Sequence, residues 1–404
     1  MHIVLVCREY VGSIRSGGIG SYMEEIAKAY LDIGHKVTIV TASDDTRKEY
    51  EYVSSDGIKI IYLSGGDFVV EKYESWKYKK LRCIYRFISY RKKIRQVLKS
   101  IPDIDIVEVA DYGAEALFIS DINVPVVIRL HTPQSLSISN LEVVRPKWWQ
   151  IHRIMPIRAE KKILEQARYI TACSNAVLNW VAEHFDISYA YTEVINNPIS
   201  RPSNIQIKKK DTYNAEKVIF YAGTICETKG VGDLVDACNI LRTHGVSIRL
   251  KLAGKGGSYL TALQKRAENN KWTWIEFLGT LSRDKVYENY VNADVCCFPS
   301  WWENMPMVCL ESMALGAIVV STDSGGTSEI ITDGYNGFLT SRQNPESLFK
   351  TLSRVLCLDE DERLNISINA VNTIQERFST KVIANKMLNY FQAVKNEFSE
   401  EIRN

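Results

Sequence analysis

Short apolar runs alternate with longer amphipathic stretches along this chain, and the pattern predicts strands and helices in turn. Residues 3–6 read as a buried strand, and 22–31, apolar at a spacing of about 3.6, as a helix that Gly34 ends. Strands are expected next at 37–40, 58–62, 104–109, 126–130 and 169–172. A second series starts near Lys217, with strands at 218–222, 248–253, 274–278, 294–298, 318–321 and 337–339. Helices fall among them at 231–241 and 308–315. Such alternation predicts parallel sheets covered by helices, an α/β architecture of doubly wound units. The polar, weakly periodic stretch 200–214 reads as a linker, which places one domain at 1–200 and a second at 215–375. From Ala370 to Asn404 the pattern is mostly that of an amphipathic helix.

Length agrees with that division, since 404 residues are too many for one ordinary core. Hydrophobic residues at 46% and charged residues at 24% are the balance of a globular enzyme, not of a disordered tail. A net charge of +2 gives no global reason to expect nucleic acid. The nine cysteines form no Cys-x-x-Cys pair and sit mostly in apolar runs, so they read as reduced core residues without a disulfide or zinc framework. The first apolar run is too short for a signal peptide, and no stretch approaches the roughly 20 apolar residues of a membrane span. A cytoplasmic location is expected.

The segment Ser300-Trp-Trp-Glu-Asn-Met-Pro-Met-Val-Cys-Leu-Glu311 changes the picture most. It sets Glu303 and Glu311 eight positions apart, between a strand-like run and a helix-like run. Proline in the first helical turn loses no hydrogen bond, so Pro306 can open the helix. The free N–H groups and positive dipole end of that helix suit an anion such as a diphosphate. Glu303 lies just before this point, and Glu311 lies more than a turn inside, where it could accept bonds from ribose hydroxyls. Two solvated glutamates on a capped helix are the plainer reading of such a pair. The strand, the Asn304-Met305-Pro306 turn and the glycine-rich Asp323-Ser-Gly-Gly-Thr-Ser-Glu329 together favour a binding site.

The segment resembles the Glu-x7-Glu motif of retaining glycosyltransferases of family 4, and the resemblance covers nearly the whole chain. It implies the GT-B fold: two Rossmann-like doubly wound domains facing a central cleft, with a last helix, about 380–404, crossing back onto the first. It also implies transfer of a sugar from a nucleoside diphosphate sugar to an acceptor, with no metal or other cofactor. By resemblance, Glu303 would hold a sugar hydroxyl and Glu311 the ribose. The diphosphate would lie on Lys229 and the N–H groups near Met307 and Val308. The base would lie by Thr280 and Leu281. Asn304, Met305 and Pro306 complete the donor turn. The run Tyr221-Ala-Gly-Thr-Ile-Cys-Glu-Thr-Lys-Gly230 resembles the family's Gly-Arg-Leu-x-x-x-Lys-Gly loop, but Thr224 stands where the arginine is expected. Lys255 or Arg15 are the cations that could compensate.

On the first-domain side, Gly17-Gly18-Ile19-Gly20 sits between the first strand and first helix. Its spacing is not that of a dinucleotide fingerprint, which disfavours NAD. It resembles the family loop near the sugar diphosphate, with a plain tight turn as the alternative. His131, just past strand 126–130, resembles the family histidine that contacts the donor sugar and joins Glu303 and Lys229 as the catalytic set. Asp103-Ile-Asp105 looks like the metal motif of the other large glycosyltransferase fold, but it follows Ile-Pro where a turn favours aspartates anyway.

Residues 71–99 carry eleven Lys/Arg and two acids, interleaved with aromatics including Tyr73, Trp76 and Tyr85. Two readings stand equal: a membrane-surface face for a lipid-linked acceptor, to which Trp148 and Trp149 could add, or a solvated helix with its aromatics in the core. Nucleic acid is a weaker reading, because no binding module for it is present. Two rivals to transfer remain, a GT-B-type nucleotide-sugar 2-epimerase and a non-catalytic GT-B-like partner subunit. Thr224 favours the latter, and the intact Glu303, Lys229 and Glu311 disfavour it.

Overall fold

The computed structural model describes residues 1–11, 17–44, 48–65, 76–136, 151–201 and 216–403. The chain forms two compact units, Met1–Pro198 with Thr380–Asn404, and Ile199–Ser379.

In the first unit the described strands are β1 (His2–Val6), β2 (Lys36–Ala42), β3 (Tyr50–Val53), β4 (Lys59–Leu63), β5 (Ile106–Ala110), β6 (Val126–Leu130), β7 (Tyr169–Ala172) and β8 (Tyr191–Val194). They form one sheet in the order β3-β4-β2-β1-β5-β6-β7-β8. Every pairing is parallel except β3 on β4. All five residues of β1 are buried, as a central parallel strand covered on both faces requires. The strand order reverses between β1 and β5.

Two of these strands, β3 and β8, lay outside the sequence expectation. All four residues of β3 are exposed, so no apolar run announces it. It is held on the edge by register and by Tyr50 stacked on Tyr62 at 4.5 Å.

The last helix, Thr380–Arg403, belongs to this first unit. Its Ile383, Ala384, Met387, Tyr390, Phe391 and Val394 recur at helical spacing and are buried in one cluster with Ile3, Tyr22 and Tyr30. Lys395 Nζ adds an ion pair to Asp105 Oδ1 at 2.5 Å, and Asp105 Oδ2 accepts the His2 amide at 2.6 Å. Asp103 takes a positive φ in the preceding turn, so this aspartate pair serves a turn and a helix contact.

The second unit has the described strands β9 (Lys217–Ala222), β10 (Ile248–Ala253), β11 (Ile275–Gly279), β12 (Val295–Phe298), β13 (Val319–Thr322) and β14 (Phe338–Thr340). They run parallel in the order β11-β10-β9-β12-β13-β14, so the order reverses between β9 and β12. Ligands of open α/β sheets bind beyond the strand C-termini at such a reversal.

All nine cysteines are free: seven are buried, Cys226 is half-buried and Cys357 is exposed. Among the described residues no helix is long and apolar enough to cross a membrane. The expected linker lies mostly outside the described residues.

Candidate functional site

Lys229 follows β9 and Glu303 follows β12, so the two residues leave the strands that flank the reversal in the second sheet. They meet there. Lys229 Nζ lies 2.5 Å from Glu303 Oε1, and Ser300 Oγ donates to the same oxygen at 2.7 Å. Burial works against the charge on Lys229, but the charge and hydrogen bond of Glu303 outweigh it and raise the amine's pKa.

Backbone contacts hold both loops in register. Trp301 N–H donates to Thr228 O at 2.9 Å, and Trp301 Nε1 donates to Asp233 Oδ2 at 2.9 Å. Gly230 has φ +65°, and a β-carbon there would lie 1.9 Å from Pro299 O. Gly325, with φ +59°, presses as closely on the other side, where a β-carbon would lie 2.0 Å from Glu303 O. Gly326 N–H donates to that same carbonyl at 2.8 Å. No side chain fits at either glycine, which is why the chain carries glycine after Lys229 and again in the 323–329 segment.

The site helix is Met307–Ala314. Pro306 stands at its cap rather than in its first turn, with its carbonyl accepting Cys309 N–H at 3.1 Å and Leu310 N–H at 3.3 Å. Met307 and Val308 are the first two helical residues, whose N–H groups have no intrahelical acceptor. Met305, Pro306 and Met307 are buried, and Asn304 is tied into the loop because Trp302 Nε1 donates to its Oδ1 at 2.6 Å. Glu311 is half-buried one turn further on. After burial itself, its charge is the main influence raising the Tyr290 hydroxyl pKa.

Thr224 is exposed, and its carbonyl accepts the Tyr221 hydroxyl at 2.8 Å. The neighbouring Ile225 N–H donates to Lys255 O at 2.9 Å, so the loop carrying the exposed Lys255 is stitched beside the position where the arginine was expected. Arg15 lies outside the described residues. Thr280, exposed, and Leu281, half-buried, follow β11.

Gly17, Gly18 and His131 belong to the first unit. The expected glycine loop is corrected: Gly17 is an extended N-cap with φ −145°, and Gly18 already opens the helix Gly18–Asp32. None of the three glycines takes a positive φ. Gly20 is small for a packing reason, since a β-carbon there would lie 3.2 Å from the Tyr10 backbone.

His131 directly follows β6 and is buried, its ring edge-on to Tyr22 at 4.7 Å. Burial, then the charge of Arg129, hold its pKa well below the usual imidazole range, so the ring is neutral at neutral pH. Asp111 Oδ1 accepts the His131 amide at 3.0 Å. Glu160 accepts Gly113 N–H and Gln134 N–H, each at 2.8 Å. Glu115 Oε2 accepts the Arg8 amide at 3.1 Å. These residues gather where the first sheet reverses, beyond β1 and β5. Burial is the main cause that pushes Asp111 up to about 6, Glu115 to about 7 and Glu160 to about 8. The sequence reading passed over all three acids. Asp111 alone left a signal, an acid set directly after the strand-like run 106–110.

The described part of the 71–99 segment is helical, within Trp76–Ser100. Phe87, Tyr90 and Arg91 are buried, and Arg91 donates to the carbonyls of Phe87, Ala114 and Gly113. Lys93 pairs with Glu49, while Arg95 and Lys99 pair with Asp121. Tyr85 remains exposed. Residues 71–75 and the side chains of Lys77, Lys79 and Lys80 lie outside the described part, as do Trp148 and Trp149. Among the described residues no group of three or more His, Cys, Asp or Glu is placed to hold a metal ion.

Two family models divide the chain between them. One, described as Glycosyltransferase Family 4, matches residues 16–201, and the other, Glycosyl transferases group 1, matches residues 203–373. An uncharacterized glycosyltransferase of Methanocaldococcus jannaschii is 26% identical, over 97% of this chain and 98% of that one. Among solved structures, a sucrose-phosphate synthase from Thermosynechococcus elongatus superposes with TM-score 0.74 at 18% identity, over 97% of this chain and 98% of the other. The Anabaena HepE structure in complex with UDP-glucose superposes with TM-score 0.71 at 17% identity, over 97% and 100% of the two chains.

Proposed function

This chain is a glycosyltransferase of the GT-B fold related to the group 1 and family 4 enzymes, and we propose that it moves a sugar from a nucleoside diphosphate donor with retention of anomeric configuration. The observation that carries this reading is the contact of Lys229 with Glu303 beside the N-terminus of Met307–Ala314, at the strand reversal. A cation and the first N–H groups of a helix are what a diphosphate needs, and a carboxylate is what a sugar hydroxyl needs.

In this reading the diphosphate lies on Lys229 and the Met307 and Val308 N–H groups, with the ribose on Glu311 and the base by Thr280 and Leu281. Glu303 takes a sugar hydroxyl. The bond from the anomeric carbon to the phosphate oxygen breaks while the acceptor oxygen bonds the same face, and the leaving phosphate takes the acceptor proton. No protein nucleophile is assigned. Lys229 meets the negative charge that grows on the leaving group, and so acts mainly on turnover. No metal is required in this scheme, so chelation by EDTA is expected to leave turnover intact. The acceptor belongs to polysaccharide, glycolipid or glycoconjugate synthesis. A lipid-linked one would bring the 71–99 helix to a membrane surface, which sedimentation with anionic vesicles at low salt tests.

The deciding measurement is nucleotide release from UDP-, GDP- and ADP-sugars, with and without acceptor extracts. Acceptor-dependent release supports transfer. Epimerised sugar without acceptor would indicate the epimerase, and neither product would indicate a non-catalytic subunit. Glu311→Ala should weaken nucleoside diphosphate binding by about 1.5–3 kcal/mol, read by calorimetry.

A further inference from the structure

Glu303 stands in two relations at once. Its carboxylate is the counter-anion of Lys229 at 2.5 Å, yet the proposed reaction asks the same carboxylate to hold a sugar hydroxyl and the same ammonium to hold a diphosphate. Glu303 has a second oxygen and Lys229 three N–H donors, so the two demands compete for the one positive charge and not for a single atom. Glu303 Oε1 already takes Lys229 and Ser300, and its backbone is pinned by Gly325 and Gly326, so it has little room to retreat as a whole.

A donor that carries its sugar gives the carboxylate a replacement partner as the diphosphate draws Lys229 away. A nucleoside diphosphate without sugar gives it none, and leaves a half-buried carboxylate without its counter-cation. Resting on the donor-site reading above, we propose that Glu303 is a built-in competitor of the diphosphate for Lys229, and so the residue that makes the site prefer the sugar-bearing donor over the sugarless nucleotide. The same competition would help expel the nucleoside diphosphate product once its sugar has left.

The test is calorimetry of UDP, GDP and ADP, and of UDP-glucose, GDP-mannose and ADP-glucose, on the wild type and Glu303→Gln. Glutamine keeps the shape and can still accept the Ser300 hydroxyl, but it carries no charge for Lys229. The sugarless nucleotide should bind Glu303→Gln about tenfold more tightly than wild type, an effect between that of an exposed and a buried ion pair. Its sugar-bearing counterpart should gain nothing. Glu303→Ala carries the same expectation and covers the case in which the glutamine variant misfolds. In a Lys229→Ala background the gain should vanish, because there is no cation left to contest.

If the sugarless nucleotide binds Glu303→Gln no better than wild type, the competition is refuted and the donor site stands. A gain that persists without Lys229 would reduce the effect to plain charge repulsion and also refute it. If none of the six nucleotides binds the wild type, the donor site itself falls, and the inference with it.

Discussion

Asp111 Oδ1 accepts the backbone N–H of His131 at 3.0 Å and that of Thr132 at 3.4 Å, so the acid after β5 fastens the loop after the neighbouring strand β6. The bond to His131 is buried and the one to Thr132 is partly buried. A charged acceptor of two amides is worth more than a neutral one, and its removal takes this acceptor from the buried His131 N–H, where water does not replace it.

Asp111→Ala should therefore lose about 1.5–3 kcal/mol of stability in urea unfolding. It should also lower turnover by more than it raises KM, because the loop it frees carries His131. Unchanged turnover in a variant shown to be destabilised would separate His131 from the chemistry.

Glu160 gives a prediction in pH. Burial first, with the charge of Asp111 adding to it, raises this carboxyl to about 8, against the opposing Gly113 and Gln134 amide bonds and the Arg8 charge. With its folded pKa above the unfolded value, the stability tied to its proton is fully present below the ordinary glutamate range. That stability is lost as pH rises through about 8. Glu160→Gln cannot ionise, so its unfolding free energy should fall less steeply than wild type between about pH 5 and pH 9. Parallel pH profiles in chemical denaturation would contradict this.

At Gly325 the prediction is steric. Alanine there would have to hold φ +59° and place its β-carbon 2.0 Å from Glu303 O, so the Glu303 loop must move. The left-handed conformation alone costs about 1–3 kcal/mol for a residue other than glycine. Gly325→Ala should lower the melting temperature and weaken nucleoside diphosphate sugar binding together. Gly245→Ala is the control: it has φ +83° but nothing near its would-be β-carbon, so it should show a stability loss without the binding defect.

The last helix supplies a fourth test. The Lys395 hydrogen bond and the His2 amide outweigh burial and hold the Asp105 pKa below the usual carboxylate range. That stabilisation is present above the unfolded aspartate pKa and is lost as pH falls through the folded one. Side-chain exposures of 28% for Lys395 and 33% for Asp105 make this a partly screened pair. Lys395→Ala should therefore cost about 0.2–1 kcal/mol near neutral pH, and the difference from wild type should shrink in acid.

Elements with long buried periodicity could be read from the chain alone. Strand 126–130 was legible to the residue, because Val126, Val127, Ile128 and Leu130 make a mainly apolar run, bounded by turns, of the kind a parallel sheet buries on both faces. The same holds for the apolar stripe of the last helix, from Ile383 to Val394. Strand β3 could not be read, since Tyr50–Val53 is exposed throughout and exists by pairing with β4, a partner the local sequence does not specify. Likewise the three glycines at 17–20 look like a loop in sequence, yet two of them lie in a helix whose fit against Tyr10 is a tertiary demand. Lys229 and Glu303 were each marked by local motifs, 74 residues apart. That they touch follows only from the reversal of strand order between β9 and β12, which brings two distant loops to one edge. The acids Asp111, Glu115 and Glu160 carried least local signal of all, because a carboxyl buried by other elements acquires its raised pKa from the packing around it and not from its neighbours in sequence.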